Sequence, residues 1–342
     1  MSVTKNKSRI ADIDFVRGIC ILAVHVGHCS IDCGFITYLW QTFFMSAFFI
    51  FSGYFSKSYT VKRILKSTLL LYYLWSIELH ILMAIRAMYY RNFSITDWLA
   101  ALKLIIIGVN QPNACAQLWF LIALFVVKLI WYFLLHLFST DKARFLASAI
   151  IAVAGIILNT IGIHNAPFRL ITAMIMLPLF VFGHMMSKYD LKRAFEYINP
   201  MCLFVLIAST WVLITLVTTK IYGHSVSVWK EEFNFIPIFY CNAVLGTCVF
   251  LLLSVIINNT NCKLLTCLHS LICFYGKNSL TAFLTVNMLI ILVSDIITEI
   301  MTFLPLESML KKIIICLCVL LLQIPIAKVL NLPKMRKIAL LK

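Results

Sequence analysis

The residues best suited to chemistry lie in the first apolar segment of the chain. Asp14, Arg17, His25 and His28 interrupt a run that is otherwise lipid-soluble. A charge inside a membrane span costs about 2.5–3.5 kcal/mol on insertion scales, so such residues are functional candidates. In an α-helix Arg17 and His28 would lie about 20° apart on one face and roughly 16 Å apart along the axis. The pattern predicts a functional stripe; the alternative is a structural Asp14–Arg17 pair with packed histidines.

The rest of the chain has the composition of an integral membrane protein. Of its 342 residues, 62% are hydrophobic and only 12% are charged, whereas soluble domains average about 45–50% apolar and about 25% charged residues. Segments of about 20 apolar residues, the length that crosses a hydrocarbon core of about 30 Å, occupy nearly the whole sequence. We predict an all-α integral membrane protein: a polytopic bundle of about ten transmembrane helices that forms a single membrane-embedded domain over residues 1–342.

Two shorter apolar stretches accompany the predicted spans. The stretch 264–276 is too short to cross a bilayer alone and is predicted to be an interfacial helix. The stretch Trp98–Val109 contains Lys103 and is predicted to lie on the outer surface. The ten predicted spans are approximately 15–33, 38–56, 67–88, 117–138, 144–163, 168–186, 200–221, 235–257, 277–299 and 308–330.

The lysine and arginine residues predict the orientation. If the N-terminus is cytoplasmic, ten spans return the C-terminus to the cytoplasm. Twenty of the 29 basic residues then lie on the inner side, and eight, among them Arg169 and Lys230, lie on the outer side. This excess is the positive-inside pattern of membrane proteins. It also accounts for the net charge of +16 without a nucleic-acid partner.

The end of the second predicted span is followed at once by basic residues. The span closes with Ser52-Gly53-Tyr54, and Arg63 and Lys66 come soon after. A Ser-Gly pair at a helix end allows close approach of a ligand or backbone, and a basic cluster can hold phosphate groups. A helix stop followed by positive-inside anchors would give the same pattern.

Three single positions are further candidates. Trp119 opens the fourth span, where a tryptophan is commonly an interfacial anchor. Glu78 lies in the middle of the third span, where an acid is expected to be neutral or paired; Lys128 is a possible partner. Ser279 opens the ninth span, as a helix cap or as part of an anion-binding helix start. No Cys/His pair has zinc-ligand spacing in a context that would hold a metal, so no metal is predicted.

Six motifs run in order through nearly the whole chain. The first is Asp-x-x-Arg-Gly with a histidine eleven residues after the arginine, and it corresponds to Asp14, Arg17, Gly18 and His28. The others are Ser52-Gly53-Tyr54, Arg63-Ile-Leu-Lys66, Leu118-Trp119-Phe120-Leu121, Pro178 to Gly183, and Gly276 to Leu280. In these motifs the chain resembles the acyltransferase 3 family of bacterial integral-membrane acyltransferases.

The resemblance implies transfer of an acyl group, most often acetyl, to a sugar hydroxyl. The donor would be cytoplasmic acetyl-CoA, and the acceptor a surface polysaccharide or a lipid-linked glycan, as in O-antigen and capsule biosynthesis. The enzyme would lie in the bacterial inner membrane, bind no permanent cofactor, and have acetyl-CoA, the saccharide and the lipid bilayer as partners. The chain looks like the short form that lacks an extracytoplasmic hydrolase-like domain.

The residue types fit that chemistry. An alcohol is a poor nucleophile at neutral pH, so a general base must take its proton, and histidine is suited because its unperturbed pKa is near 6.5. We assign this role to His28, which could instead carry the acyl group covalently. Arg17, oriented by Asp14, would bind CoA phosphates together with Arg63 and Lys66. Ser52, Gly53 and Tyr54 are assigned to the donor site, and His25, Trp119 and Glu78 to the acceptor site.

Two positions depart from the family pattern. Lys66 replaces a second arginine and lacks its planar fork, and Val286 stands where the family often has a histidine, seven residues after Ser279. The main alternative function is a transporter or flippase of a glycolipid or small solute, because polar residues in spans suit that class too. A transporter has no need of the whole motif set, and no inverted repeat is visible. A sensory or scaffold protein, or an inactive relative, is the third possibility.

Overall fold

A computed structural model shows a protein built from helices joined by short connections. The structure describes residues 2–56, 60–109, 113–164, 166–189, 199–300, 307–333, 335 and 339. Within those ranges the only β-type pairing is an isolated bridge between Ser227 and Glu232. The α-helices are α1 Ser2–His28, α2 Phe35–Gln41, α3 Phe44–Tyr54, α4 Val61–Ile64, α5 Leu70–Tyr89, α6 Ile95–Ile107, α7 Trp119–Leu137, α8 Asp141–Thr160, α9 Leu170–Met186, α10 Pro200–Tyr222, α11 Ile236–Asn258, α12 Lys263–Lys277, α13 Ser279–Ile300 and α14 Ser308–Leu330.

Nine helical segments in the described residues are long and apolar enough to cross a membrane. They coincide with predicted spans two to ten, which confirms an all-α polytopic membrane protein. The segments are Phe35–Tyr54, Val61–Tyr89, Cys115–Leu137, Asp141–Thr160, Pro167–Met186, Pro200–Tyr222, Ile236–Asn258, Ser279–Ile300 and Ser308–Leu330.

The predicted first span corresponds to α1, which is 27 residues long and ends at His28 rather than near residue 33. The chain leaves the helix through a turn in which Ser30 has a left-handed φ of 53°. The last 18 residues of α1 carry the charged residues Asp12, Asp14 and Arg17, and α1 is not among the nine segments found in the described residues. A helix this polar needs protein partners for its charges, because lipid provides none.

The two short apolar stretches also form helices. The stretch predicted to be interfacial is α12, Lys263–Lys277. The stretch around Trp98 is α6, which begins at a Ser94 cap that accepts the Asp97 N–H at 3.4 Å and ends at Gly108 with a left-handed φ of 71°. Both ends therefore follow ordinary capping chemistry.

The chain divides into two compact units. Unit 1 comprises Met1–Phe55 and Phe182–Ala282, and unit 2 comprises Ser56–Val181 and Phe283–Lys342. The prediction that the whole chain forms a single domain stays a prediction.

The core of unit 1 holds α1 against α3, α10 and α11. Phe43 is fully buried and meets the Trp211 ring edge-on at a centroid distance of 5.3 Å. The Trp211 indole N–H donates to Thr42 Oγ1 at 3.1 Å. A Cβ on Gly246 would lie 2.7 Å from Phe43, so glycine is what lets α11 approach this ring. This packing includes Val16 and Cys20, which lie within one helical turn of Arg17 in α1.

In unit 2, helix α5 is held by polar contacts at two levels. The Tyr72 hydroxyl donates to the Ile105 carbonyl at 2.8 Å, which joins α5 to α6. Near the end of α5, Arg86 makes a two-pronged ion pair with Asp295 of α13, with N–O distances of 2.7 and 2.8 Å. Such a bidentate pair satisfies two charges that a bilayer would otherwise disfavour.

The orientation can be tested with reporter fusions. Because basic residues predict a cytoplasmic N-terminus, fusions at Lys66 and Lys342 should report a cytoplasmic location. A fusion at Lys230, between α10 and α11, should report an external one. An external Lys342 would contradict the ten-span topology.

Candidate active site

Arg17 lies at the centre of a polar contact between α1 and the start of α13. Its Nη2 donates to Ser279 Oγ at 2.8 Å, and its Nη1 lies 3.4 Å from Asp14 Oδ1. The Arg17 side chain is 26% exposed, whereas that of Asp14 is 5% exposed. A guanidinium has five N–H donors, so these two contacts leave donors for a ligand. The predicted orientation of Arg17 by Asp14 is thus compatible with the geometry, and Ser279 is an additional partner.

Two motif glycines allow this contact. A Cβ on Gly276 would overlap the carbonyl of Asp14, and a Cβ on Gly18 would overlap the carbonyl of Ile272. Helices α1 and α12 therefore approach backbone to backbone at the level of Arg17, which only glycine permits. The close approach places the end of α12, and Ser279 directly after it, beside the guanidinium.

His25 is fully buried in unit 1. Its Nδ1 lies 2.6 Å from the carbonyl oxygen of Ile21, one turn earlier in α1. A carbonyl can only accept, so Nδ1 carries the proton. This bond fixes the orientation of the ring, which suits a supporting histidine, and the assignment of His25 to the acceptor site stays a prediction.

His28 differs from His25 in its surroundings. It is the last residue of α1 and is half-buried. Among the described residues neither of its ring nitrogens has a hydrogen-bond partner. A histidine at a helix end with both nitrogens available can take a proton from a substrate hydroxyl. The geometry is compatible with the catalytic role of His28, which stays a prediction.

Tyr54, from the Ser52-Gly53-Tyr54 motif at the end of α3, lines an apolar cleft in unit 1. Ile50, Phe182 and Met186 also line it, and Asp12 is the one charged residue among its described lining residues. Ser52 is half-buried and Gly53 is buried. The sequence assigned the three motif residues to the donor site, and that assignment stays a prediction.

The Pro178 to Gly183 motif has a structural role at its glycine. A Cβ on Gly183 would overlap the carbonyl of Ile50, so α9 approaches the backbone of α3 at this residue. This contact lies one turn before Tyr54 and supports the end of α3. Gly18, Gly183 and Gly276 therefore share one physical reason for being glycine.

Arg63 and Lys66 belong to unit 2, and both are exposed. Arg63 lies in the short helix α4, whose first turn is capped by Thr60 Oγ1 at 3.3 Å from the Arg63 N–H. Lys66 lies in the π-helical turn Leu65–Leu69 that joins α4 to α5. Single π-helical turns are rare in proteins, but those that occur are often at functional sites. The assignment of these cations to donor phosphates stays a prediction.

The two predicted acceptor residues in unit 2 differ in burial. Trp119, the first residue of α7, is only 5% exposed, so it is a packed residue of unit 2 rather than an exposed anchor. Glu78 is exposed on α5. His80, on the same helix, is buried; its Nε2 lies 3.0 Å from the Trp98 carbonyl and its ring stacks on Trp98. Roles for Trp119 and Glu78 in acceptor binding stay predictions.

The position where the family often has a histidine is apolar and packed. Val286 is fully buried in unit 2. The next residue, Asn287, donates its side-chain N–H to Gln117 Oε1, two residues before Trp119. A buried amide pair therefore lies where a second imidazole would otherwise be expected.

Several polar residues of potential importance were not identified from the sequence. Ser279 was interpreted only as a cap or helix start, although its place in a motif was a usable signal. Arg169 was counted only as an outer basic residue, yet it is 1% exposed. His269 was not among the candidates; it is buried and contacts Ser254, whose Oγ also contacts Asp12. No local sequence pattern pairs residues 242 positions apart.

The fold and the site together define a polytopic membrane protein with an arginine and two histidines on one polar helix. The chain matches the acyltransferase 3 family, described as an acyltransferase domain, over residues 10–328. It belongs to this family and is an acyltransferase, which confirms the predicted family and enzyme class over a transporter. No curated protein and no solved structure matches the chain.

Proposed function

We propose that the protein is an O-acetyltransferase of the bacterial inner membrane. It moves an acetyl group from cytoplasmic acetyl-CoA to a sugar hydroxyl of a surface polysaccharide or lipid-linked glycan. The observation that carries the proposal is the arrangement of Arg17 and His28 on one helix, α1. Asp14 and Ser279 hold the guanidinium of Arg17 in place. Family membership supports acyl transfer; the acetyl donor and the glycan acceptor are our inference.

The spacing of Arg17 and His28 suits an elongated donor. Eleven helical residues separate them by roughly 16 Å along α1. CoA places its phosphates far from its thioester, because the pantetheine arm lies between them. Arg17 would bind a phosphate through its remaining N–H donors, in the charge-assisted geometry that guanidinium favours, and the thioester would lie towards His28.

At His28 the transfer has two possible forms. In the first, a ring nitrogen takes the proton of the sugar hydroxyl while its oxygen attacks the thioester carbonyl; the C–S bond breaks and CoA leaves as a thiolate that the imidazolium reprotonates. In the second, the imidazole nitrogen attacks the thioester carbonyl, the C–S bond breaks and CoA leaves as a thiolate; the sugar oxygen then attacks the acyl-histidine, the C–N bond breaks, and the hydroxyl proton of the sugar passes to the thiolate. Both forms need an available nitrogen on His28, and both yield an O-acetyl sugar and free CoA.

The proposal is tested by the acetyl content of the surface glycan. Cells that produce the protein should carry O-acetyl groups that a deletion strain lacks, and the wild-type gene supplied in trans should restore them. NMR of the purified glycan detects the acetyl methyl groups and identifies the modified sugar. Identical glycans in all strains would contradict acetylation of a surface glycan.

The assignment of the donor phosphates gives a kinetic prediction for Arg63. Charge-assisted contacts contribute about 1.5–3 kcal/mol each, so Arg63→Ala should raise the KM for acetyl-CoA roughly 10- to 100-fold. Lys62→Ala is the matched control, because Lys62 is an exposed cation of the same helix but lies outside the motif. An unchanged donor KM in Arg63→Ala would contradict the assignment.

A further inference from the structure

A second polar cluster lies in unit 1, outside the six motifs. Ser254 Oγ donates to Asp12 Oδ1 at 2.7 Å, and Asn258 Nδ2 donates to the same oxygen at 3.1 Å. Asp12 is 8% exposed and Ser254 is fully buried. The carboxylate of α1 is therefore held by two donors of α11.

His269 joins α12 to the same cluster. Its Nε2 lies 2.8 Å from Ser254 Oγ, and its ring stacks on Phe15 at a centroid distance of 4.8 Å. Because the Ser254 hydroxyl donates its one proton to Asp12, the Nε2–H of His269 donates to Ser254. The hydrogen bonds thus run in one direction, from α12 through α11 to α1. A fully satisfied buried chain of this kind fixes the relative positions of its helices.

The protonation states of His269 and Cys273 agree with this direction of hydrogen-bond donation. Burial lowers the pKa of His269, and the nearby Asp12 opposes that shift only in part, so the ring is neutral at pH 7. Burial also raises the pKa of Cys273, one turn along α12, to about 11. Cys273 Sγ lies 3.4 Å from the carbonyl oxygen of Ala11 and accordingly remains a thiol.

Helix α12 connects the cluster to the site. His269, Cys273 and Gly276 are spaced i, i+4, i+7 and so form one face of the helix, the face that contacts α1. From His269 to Lys277 the helix rises about 12 Å, and Ser279, the partner of Arg17, follows directly. His269 is thus too far along the helix to act by contact with a donor bound at Arg17.

We propose that Asp12, Ser254 and His269 are positioning residues for acyl transfer, which act by fixing α12 so that Ser279 holds the Arg17 guanidinium. This inference rests on the proposed role of Arg17 in donor binding. The cluster secures the middle of α12 at His269, and the glycine contact at Gly276 secures its C-terminal end. The position of Ser279 then depends on the whole of α12 rather than on its own hydrogen bond.

The first test compares variants of the cluster by transfer rate. Misplacement of a binding group by about 1 Å can lower a rate by about 100-fold, so Ser254→Ala and His269→Leu should lower kcat/KM by about 10- to 100-fold. His269→Gln should keep most of the rate, because its side-chain N–H can still donate to Ser254. Ser270→Ala is the matched control, since Ser270 is exposed on α12 and bonds only within it. Equal losses in His269→Gln and His269→Leu would overturn the proposal.

The second test asks whether the cluster acts through Ser279. In a double-mutant cycle, Ser254→Ala should cost little further activity in a Ser279→Ala background, because both changes remove the same restraint. Fully additive losses would overturn the proposal, since Ser254 would then act elsewhere. If Ser254→Ala does not accumulate, Asp12→Asn serves in its place, because it keeps the size of the side chain and removes its charge.

A third measurement does not depend on turnover. Alkylation of Cys273 by N-ethylmaleimide, followed by peptide mass spectrometry, should be slow in the wild type and in Ser270→Ala and faster in Ser254→Ala. Unchanged alkylation in Ser254→Ala would overturn the proposal. All rates are compared with whichever acyl donor the wild type accepts. A donor other than acetyl-CoA would contradict the proposed function and would leave this comparison intact.

Discussion

His28→Ala should reduce acetylation of the glycan to below about 1% of the wild-type level. A general base contributes about 10²- to 10⁴-fold to a rate, and a covalent acyl carrier cannot be replaced by an alanine methyl group at all. His28 is half-buried at the end of α1, so loss of its ring should leave the amount of protein in the membrane near normal. NMR of the glycan and an immunoblot of the membrane fraction measure the two quantities.

His25→Ala is the control for this experiment and should have a milder effect. His25 donates to Ile21 within α1 and is about 80° around the helix from Arg17, whereas His28 is nearly in line with it. Normal acetylation in the His28→Ala strain would contradict the mechanism. If both variants are equally inactive, the two histidines act as a unit and the assignment to His28 alone is wrong.

Gly276→Ala should prevent α12 from packing on α1. The added methyl group would overlap the backbone carbonyl of Asp14, and a backbone atom cannot move aside as a flexible side chain can. Overpacking in a core costs about 1–3 kcal/mol, and a backbone clash belongs at or above the upper end of that range. The expected result is a large loss of folded protein. Size-exclusion chromatography of the detergent-solubilised protein measures this loss.

Gly27→Ala provides the matched comparison. Gly27 lies in the last turn of α1, and a Cβ there would meet no atom within 4 Å. Alanine is favoured over glycine in a helix by about 1 kcal/mol, so this variant should accumulate as well as the wild type. Equal yields of folded Gly276→Ala and Gly27→Ala would show that α1 and α12 are not in backbone contact.

Much of the fold could be predicted from the sequence because lipid imposes a simple rule. A span needs a long apolar segment, and in the part of the chain that the structure describes nine helical segments coincide with segments identified on that basis. The boundary of α1 was wrong, because the helix ends at His28 and the next residues form a turn. That turn contains the exposed polar residues Ser30 and Asp32, but hydropathy averaged over a whole span does not locate the residue at which a helix stops.

The candidate site was predictable only where its residues are local in sequence. Asp14 and Arg17 are three residues apart, and their contact follows from helix geometry. The contact of Arg17 with Ser279 joins residues 262 positions apart, and a single sequence carries no signal for such a pairing. The reason for Gly18, Gly183 and Gly276, a backbone in close contact with another helix, appears only once the neighbouring helix is known.

The central claim is that α1 divides the work between Arg17, which binds the donor, and His28, which performs the transfer. The most direct test is the saturation curve for radiolabelled acetyl-CoA with the purified protein and its glycan acceptor. Arg17→Gln should raise the donor KM roughly 10- to 100-fold, while His28→Ala should lower kcat at least about 100-fold with the donor KM little changed. The account is contradicted if the wild type transfers no label, or if Arg17→Gln leaves the donor KM unchanged while His28→Ala retains the wild-type kcat.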